Sequence, residues 1–338
     1  MQKTKIGVDY RLANKHLGGM AVYLKSIFNE LVKKNSNEYL LFDDNPTARP
    51  GFKKNIWTVI WEQVWVQVCL TYLFWKNGVT TAYFPNPPVS FFLWIPLIVT
   101  VPDVSFYYDE GMSRMTKQYL MIMYFMSVHK AKIITTFSQN SKKDIVNLFH
   151  VNPEKVFVTP LAASESIGRI PLTKKKHIIC VPGTMIPRKN IKEAIEAFHR
   201  LPKGLRKNIE LIIVGHTSKR IEGDVCFTGR ISDNELSKLY SESHLFMCTS
   251  LYEGFGLPIL EAMRCGVPVV SYKNSSLPEA VGDAGVLVSN VSELVGAMER
   301  VLTDSKFRKT LIKSGYGHEK RFSWGRTASI FLKVIESC

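Results

Sequence analysis

One stretch, residues 250–261, constrains the fold of this 338-residue chain more than any other. The preceding residues 244–249 are apolar and brief, which predicts a short buried strand. Residues 253–256 form a glycine-bearing loop, and Pro258 suits the first position of a helix, where a missing N–H costs nothing. Strand, loop and helix N-terminus in this order bring backbone N–H groups and the positive end of the helix dipole together. The stretch therefore predicts a phosphate or other anion site in an α/β domain.

Two carboxylates flank this predicted anion site. Glu253 lies in the loop and Glu261 in the first turns of the helix. A carboxylate beside an anion site is suited to accept hydrogen bonds from the paired hydroxyls of a sugar or a ribose. The alternative is structural: Glu261 offsets the helix dipole and Glu253 caps the loop. From the residues alone both interpretations stay open.

A longer pattern carries a family resemblance. The sequence EGFGLPILEAMRCGVPVV begins at Glu253 and has seven residues between its two glutamates, and it is followed by SLPEAVGDAG at residues 276–285. It resembles the donor-binding signature of glycosyltransferase family 4. The resemblance covers nearly the whole chain and is strongest over residues 180–289. It implies an α/β fold of the GT-B type, with two Rossmann-like domains facing across a cleft and a C-terminal helix that crosses back to the N-terminal domain.

The resemblance also implies a division of the chain. Residues 1–165 are expected to form an acceptor-binding domain, residues 174–318 a nucleotide-sugar-binding domain, and residues 319–338 a closing helix packed on the first domain. Residues 163–176 are polar and contain three consecutive lysines, which predicts a linker between the domains.

A second loop supplies two adjacent cations. Arg188 and Lys189 follow a predicted strand at residues 178–181 and precede a predicted helix at residues 191–201. In that position an arginine fork and a lysine point charge are able to clamp a diphosphate. The loop resembles the Arg-Lys-Asn element of family 4, which strengthens this interpretation over that of ordinary surface charge.

By resemblance, the catalytic candidates are Glu253, holding the hydroxyls of the transferred sugar, Arg188 and Lys189, neutralising the leaving diphosphate, and Asp103. The family usually has His-Asp at this last point, whereas this chain has Pro102-Asp103. Asp103 is therefore expected either to orient an acceptor hydroxyl or to cap its loop. The full set expected to bind the donor is Gly18, Gly19, Gly183, Arg188, Lys189, Arg230, Ile231, Glu253, Gly254, Phe255, Gly256, Leu257 and Glu261.

The formal charge of 44 − 29 = +15 suggests a polyanionic neighbour. This neighbour is an anionic membrane surface, nucleic acid or an anionic sugar–lipid substrate, and the alternative is a general solubility bias. Nucleic acid is disfavoured, because no zinc-finger, helix-turn-helix or RNA-binding aromatic pattern is present. Residues 57–75 and 119–132 predict two apolar helices, either buried in the core or, as the alternative, lying on a membrane.

The six cysteines are scattered and show no metal-ligand spacing, which predicts free thiols in a reducing compartment. No signal peptide is apparent at the start of the sequence. We therefore expect a cytoplasmic protein, peripheral at the inner face of a membrane. No Asp-x-Asp motif is present in a ligand loop, and neither a metal nor a cofactor is expected; the nucleotide sugar, UDP- or GDP-linked, is a co-substrate.

Together these observations predict a retaining, metal-independent glycosyltransferase. It is expected to move a hexose, such as mannose, glucose or an N-acetylhexosamine, to a glycan or lipid-linked glycan during synthesis of a bacterial surface polysaccharide such as lipopolysaccharide. Two alternatives stay open. One is another GT-B enzyme, a phosphorylase or a nucleotide-sugar epimerase, and the other is a non-catalytic scaffold subunit that binds a sugar nucleotide.

Overall fold

The computed structural model describes residues 4–14, 19–34, 37–43, 56–171, 177–183, 186–207, 209–215 and 218–338. It contains two compact units. Unit 1 comprises Met1–Tyr107, Met112–Leu161 and Trp324–Cys338, and unit 2 comprises Tyr108–Gly111 and Ala162–Ser323. The four residues Tyr108–Gly111 thus belong to unit 2, although the sequence suggested that they lie in the N-terminal domain.

Unit 1 is built on a parallel sheet whose strands lie in the order β2-β1-β3-β4-β5-β6. Its strands are short apolar runs, and the central ones are buried along their whole length, as expected for a parallel sheet covered on both faces. They are β1 (Lys5–Asp9), β2 (Glu38–Phe42), β3 (Thr81–Phe84), β4 (Leu97–Thr100), β5 (Ile133–Thr136) and β6 (Val156–Val158).

The helices of unit 1 are α1 (Gly19–Lys34), α2 (Ile56–Val64), α3 (Leu70–Lys76), α4 (Ser105–Tyr108), α5 (Arg114–Lys130), α6 (Gln139–Phe149) and α14 (Trp324–Glu336). Ser138 caps α6, since its side chain accepts a hydrogen bond from the Ser141 N–H. The closing helix α14 packs against α1, and its Trp324 and Phe331 contact the buried rings of Tyr23 and Tyr83. The predicted return of the C-terminal helix to the N-terminal domain is confirmed.

The two apolar helices of unit 1 differ from the core helices that the sequence favoured. The first is α2 and α3 joined by a π-helical turn, Trp65–Cys69. One side of it is buried, through Trp65, Leu70 and Phe74, and the other side is exposed. On α5 only Ser127 and Val128 are buried, so the core prediction for this helix is wrong. Among the described residues, no helix has the length and apolar character needed to cross a membrane.

Unit 2 has a sheet in the order β13-β12-β11-β7-β8-β10-β9, parallel except for the edge strand β9. Its strands are β7 (His177–Gly183), β8 (Glu210–Gly215), β9 (Arg220–Glu222), β10 (Val225–Gly229), β11 (Ser243–Cys248), β12 (Val269–Tyr272) and β13 (Val286–Val288). The helices are α7 (Ile191–Arg200), α8 (Lys203–Arg206), α9 (Asp233–Glu242), α10 (Leu257–Arg264), α11 (Leu277–Val281), α12 (Val291–Thr303) and α13 (Ser305–Glu319).

Ser232 and Glu235, three residues apart in the sequence, predict a capping box at the start of α9. This prediction is confirmed, with both reciprocal hydrogen bonds present. The described part of the expected linker, residues 163–171, begins next to the boundary of unit 2 and contacts α9. Ala163 and Ile167 are buried there, and the backbone N–H of Ile170 donates to the Ser241 hydroxyl. Small apolar side chains spaced among polar ones were enough to hold this segment against a helix.

Candidate active site

Two loops of unit 2 form the candidate site, each following the carboxyl end of a strand. One runs from β7 through a 3-10 turn, Pro187–Lys189, to α7, and the other runs from β11 to α10. The strands β7 and β11 are parallel neighbours in the sheet. Both loops therefore leave the sheet at the same edge, where open α/β sheets hold their ligands.

The β11–α10 loop has the glycine turn that the sequence predicted. Gly256 has φ 102°, a left-handed conformation that disfavours any side chain, and it directly precedes α10. A Cβ added there would lie 3.2 Å from the Ile259 Cδ1 and 3.3 Å from the Ala280 Cβ. Pro258 lies in the first turn of the helix, as expected. Helix α10 therefore begins directly at the β11–α10 loop, and the side chains of Ile259 and Ala280 pack against the turn at Gly256.

The cations of the first loop contact the carboxylate of the second. Lys189 Nζ donates to Glu253 Oε1 over 2.6 Å, and Arg188 Nη1 lies 3.7 Å from Glu253 Oε2. The three side chains are largely buried, with exposed fractions of 12% for Lys189, 17% for Arg188 and 16% for Glu253. Two positive charges and one negative charge thus leave the cluster with a net charge of +1, which favours an anionic ligand.

The pKa of Glu253 reflects this pairing. Burial raises the pKa of a carboxyl group, but the charge and hydrogen bond of Lys189, with the charge of Arg188, outweigh that effect and lower it below the ordinary value. Glu253 is therefore ionised near neutral pH. It is an acceptor of hydrogen bonds, suited to hydroxyl groups, and not a proton donor.

Backbone contacts fix the two loops to each other. The N–H of Leu251 donates to the Arg188 carbonyl over 2.8 Å, and Arg188 Nη1 donates to the Tyr252 carbonyl, also over 2.8 Å. Thr249 Oγ1 donates to the Asn190 carbonyl over 3.0 Å. Because these bonds hold the backbones in register, the contact of Lys189 with Glu253 follows from the fold of both loops.

Glu261 is buried in α10, with 7% of its surface exposed, beside the hydroxyl of Tyr240. Tyr240 donates to Glu261 Oε2 over 3.3 Å. Burial raises the pKa of Glu261 to about 7, although the hydrogen bond from Tyr240 and the charge of Arg264 act in the opposite direction. Glu261 therefore changes charge near physiological pH, which differs from a carboxylate that merely offsets a helix dipole.

Six other residues that were expected to bind the donor lie in unit 2. Gly254 and Phe255 are buried in the β11–α10 loop, and Leu257 begins α10. Gly183 ends β7 and pairs with Gly215 of the adjacent strand. Arg230 and Ile231 follow the end of β10, with Arg230 exposed.

The remaining expected residues do not lie in unit 2. Gly19 begins α1 of unit 1, and Gly18 lies outside the described residues. Asp103 follows β4 of unit 1, where its Oδ1 accepts a hydrogen bond from the Ser105 N–H over 2.8 Å at the start of α4. This is the loop-capping contact that was one of the two interpretations of Asp103.

Sequence reasoning missed several supporting residues. Ser275 accepts a hydrogen bond from the Glu253 N–H over 2.8 Å, and Ser276 donates to the Glu253 carbonyl over 2.7 Å. Tyr108 stacks on Tyr252, with ring centroids 4.7 Å apart. Of these residues, only Ser276 was indicated by the sequence, because it begins the segment SLPEAVGDAG that is part of the family resemblance. Within the described residues, no group of three or more His, Cys, Asp and Glu side chains is arranged to hold a metal ion.

Comparison with known proteins finds a family that this part of the chain resembles. Residues 162–318, which contain both loops, match the family model described as glycosyl transferases group 1. The match agrees with the expected resemblance and is centred on the segment that carries Arg188, Lys189, Glu253 and Glu261.

The chain is also similar to enzymes named for mannose transfer. It is 35% identical over 223 residues to the O-antigen chain mannosyltransferase B of Escherichia coli, covering 59% of the chain and 58% of that protein. It is 30% identical over 240 residues to the serotype-specific mannosyltransferase WbdA of Escherichia coli, covering 62% of the chain and 29% of that protein. The chain therefore spans less than two thirds of the length of either relative.

Solved structures share the fold along the whole chain. The sucrose-phosphate synthase of Thermosynechococcus elongatus has a TM-score of 0.78 at 16% identity, covering 99% of both chains. WaaG, described as involved in lipopolysaccharide biosynthesis, has a TM-score of 0.73 at 17% identity, covering 98% of this chain and 99% of that one. Anabaena HepE, solved with UDP and glucose, has a TM-score of 0.71 at 17% identity and full coverage of both. The predicted GT-B fold class is confirmed.

Proposed function

We propose that the chain is a glycosyltransferase that moves a hexose from a nucleotide-diphosphate donor to a glycan or lipid-linked glycan. The observation that carries this proposal is the buried contact of Lys189 and Arg188 with Glu253, in two loops at one edge of the sheet. It combines cations for a diphosphate with an ionised acceptor for sugar hydroxyls. The similarity to an O-antigen chain mannosyltransferase supports a hexose donor and a bacterial surface polysaccharide.

In this proposal the unit 2 residues divide the donor between them. Arg188 and Lys189 neutralise the diphosphate, together with the backbone N–H groups of Gly256 and Leu257. Glu253 accepts hydrogen bonds from the transferred sugar, and Glu261 accepts them from the ribose. A preorganised hydrogen-bonding group of this kind contributes roughly 3–4 kcal/mol of transition-state stabilisation in well-studied sites. The nucleotide is UDP or GDP. Further donor contacts in unit 2 are proposed for Gly183, Arg230, Ile231, Gly254 and Phe255, and the expected donor contacts of Gly18 and Gly19 stay a prediction.

We infer a retaining reaction that needs no divalent metal. The acceptor oxygen bonds to the anomeric carbon on the face from which the diphosphate leaves, the bond from that carbon to the phosphate oxygen breaks, and the acceptor proton passes to the leaving phosphate. The cations of Arg188 and Lys189 offset the charge that develops on this oxygen. Asp103 is proposed to orient the acceptor. Full activity in EDTA is expected, and loss of activity in EDTA would contradict metal independence.

The decisive experiment is a thermal-shift series with UDP, GDP, ADP and their hexose conjugates. A ligand at about a hundred times its dissociation constant raises the free energy of unfolding by about 2.7 kcal/mol, which is readily measured. We expect one nucleotide to give this shift and Arg188→Ala to abolish it. The absence of any shift would contradict the proposed donor site. A positive result is followed by transfer assays with the hexose conjugates of that nucleotide.

A non-catalytic scaffold is the second candidate, favoured by Pro102 where the family usually has histidine. A scaffold binds the sugar nucleotide but neither transfers nor hydrolyses the sugar. Slow release of free hexose from the bound donor, lost in Glu253→Gln, supports the enzyme. Binding without release or transfer supports the scaffold.

We further propose that the acceptor is presented at the cytoplasmic face of an anionic membrane, where the protein works as a peripheral enzyme. The net charge of +15 supports this proposal. No cofactor is required by the proposed reaction, since the leaving diphosphate is already part of the donor.

A further inference from the structure

Three elements of unit 1 carry exposed apolar side chains that together form what we call the aromatic face. The elements are the α2–π turn–α3 helix, the loop of residues 91–96, and α5. Trp94 is 94% exposed, Met115 is 81%, Trp75 is 75% and Phe92 is 65%. Isolated exposed apolar residues are normal, but a set of this size within one region marks an interaction surface.

The exposed residues follow helical spacing on both helices. Along α2 and α3 they are Ile60, Trp61, Val64, Val68, Tyr72 and Trp75, and along α5 they are Met115, Tyr119, Ile122, Phe125 and Met126. Intervals of three and four residues put such side chains on one side of each helix. Each helix thus presents an apolar stripe on its outer side, in addition to the residues that hold it to unit 1.

Side-chain contacts join the three elements into one surface. Gln63 Nε2 of α2 donates to the Tyr119 hydroxyl of α5 over 2.7 Å. Gln67 of the π turn accepts from the Phe91 N–H over 2.9 Å, which ties the loop to the helix. Lys130 at the end of α5 lies 5.1 Å from the centre of the Trp94 ring. The helix, the loop and α5 are therefore direct neighbours in unit 1.

The charges on these elements are almost all positive. Residues 56–76, 91–96 and 114–130 contain four cations and one anion, a net charge of 4 − 1 = +3. The cations are Lys76, Arg114, Lys117 and Lys130, and the anion is Glu62. Aromatic rings beside lysine and arginine are the composition of segments that lie in the interface of an anionic membrane.

We propose that the aromatic face docks on the surface of a bilayer containing anionic lipids, with Trp75 and Trp94 inserted at headgroup depth. This proposal rests on the proposed function in one respect: a lipid-linked acceptor is the reason for the protein to bind a membrane. A second copy of the chain is the less favourable occupant, because a symmetric dimer through this face would bring its cations against the same cations of the partner. Anionic headgroups instead complement them.

The test is flotation with vesicles of phosphatidylcholine alone and with vesicles that contain about one third phosphatidylglycerol. The wild type is expected to float with the anionic vesicles, and to lose binding on neutral vesicles and at high salt. Trp75→Ala/Trp94→Ala is expected to bind the anionic vesicles at least about tenfold more weakly, since two large exposed rings are removed. Its Tm is expected to match the wild type, because both side chains are exposed.

The matched control is Val32→Ala/Ile221→Ala, which shortens side chains that are 64% and 72% exposed on α1 and β9. This variant is expected to float like the wild type. A wild type that stays in the soluble fraction, or equal flotation of both double variants, overturns the proposal. So does a dimer, measured by light scattering without lipid, that the tryptophan variant dissociates, since the occupant is then a second copy.

The nucleotide thermal shift separates this proposal from the proposed function. It is expected to be the same in the wild type and in Trp75→Ala/Trp94→Ala, because neither tryptophan is among the proposed donor residues and the cluster of Arg188, Lys189 and Glu253 lies in unit 2. A protein that floats with anionic vesicles but shows no shift with any nucleotide supports the membrane surface and contradicts the glycosyltransferase site. A thermal shift with a nucleotide but no flotation supports the glycosyltransferase site and contradicts the membrane surface.

Discussion

Lys189 Nζ donates a hydrogen bond to Glu253 Oε1 over 2.6 Å, so the cation proposed to bind the donor diphosphate is already paired with an internal carboxylate. Both side chains are largely buried, where such a pair is screened little by solvent. Glu253 therefore competes with a phosphate for the hydrogen bond of Lys189 and for the charge of Arg188. Donor binding has to redistribute these hydrogen bonds between the phosphate and the sugar hydroxyls.

This pairing predicts opposite effects of Glu253→Gln on binding and on transfer. The neutral amide no longer competes for Lys189 and Arg188, so we expect the nucleoside diphosphate to bind as tightly as to the wild type or more tightly. Sugar transfer is expected to fall by about 10²- to 10³-fold, because the charged acceptor for the sugar hydroxyls is lost. Isothermal titration calorimetry and a transfer assay measure the two effects. Glu196→Gln, at a 55% exposed acid of α7, is the control and should change neither.

Arg188→Ala is expected to weaken nucleoside diphosphate binding by about 10- to 100-fold, since it removes a charged donor from the cluster. The parent nucleoside without phosphate should bind equally to variant and wild type. Calorimetry with both ligands distinguishes loss of a phosphate contact from collapse of the loop, which would weaken both. Arg188→Lys keeps the charge but changes the geometry of the bond to the Tyr252 carbonyl, and should be intermediate. Arg200→Ala, half-exposed on α7, serves as the control.

Local sequence signals predicted much of the fold of unit 2. A short apolar run, a glycine and a proline were enough to locate β11, the turn at Gly256 and the start of α10, because each residue has a restricted backbone preference. The same holds for the capping box of Ser232 and Glu235. These signals depend on neighbouring residues only.

Contacts between distant residues could not be predicted in the same way. Lys189 and Glu253 are 64 residues apart, and they meet because β7 and β11 are adjacent in the sheet, which no local pattern specifies. The raised pKa of Glu261 likewise depends on burial and on Tyr240, from a different helix. For α5, apolar residues at helical spacing indicated an apolar side but not whether protein covers it. Burial was the wrong choice there.

Two glycines are predicted to respond in opposite directions to alanine. Gly256→Ala puts a side chain at φ 102° with a Cβ contact of 3.2 Å to Ile259, and should lower the free energy of unfolding by about 1–3 kcal/mol. Gly296→Ala, at an exposed position inside α12 with nothing within 4 Å, should raise it by about 0.5–1 kcal/mol. Chemical denaturation measures both. Equal destabilisation by the two substitutions would show that the turn at Gly256 has no special backbone requirement.

Glu261→Gln is predicted to stabilise the protein at high pH and to have little effect at low pH. The carboxyl has its usual pKa of 4.5 in the unfolded chain and about 7 in the folded protein, so the folded state binds the extra proton between these values. Raising the pH through this window lowers the wild-type free energy of unfolding, by roughly 3 kcal/mol in total. The amide carries no such cost and still accepts the Tyr240 hydrogen bond. Denaturation curves should therefore show a higher free energy of unfolding than that of the wild type at pH 8 and little difference at pH 5. An increase of equal size at both pH values would mean that Glu261 ionises without cost. Its assignment as a buried titrating group would then be wrong.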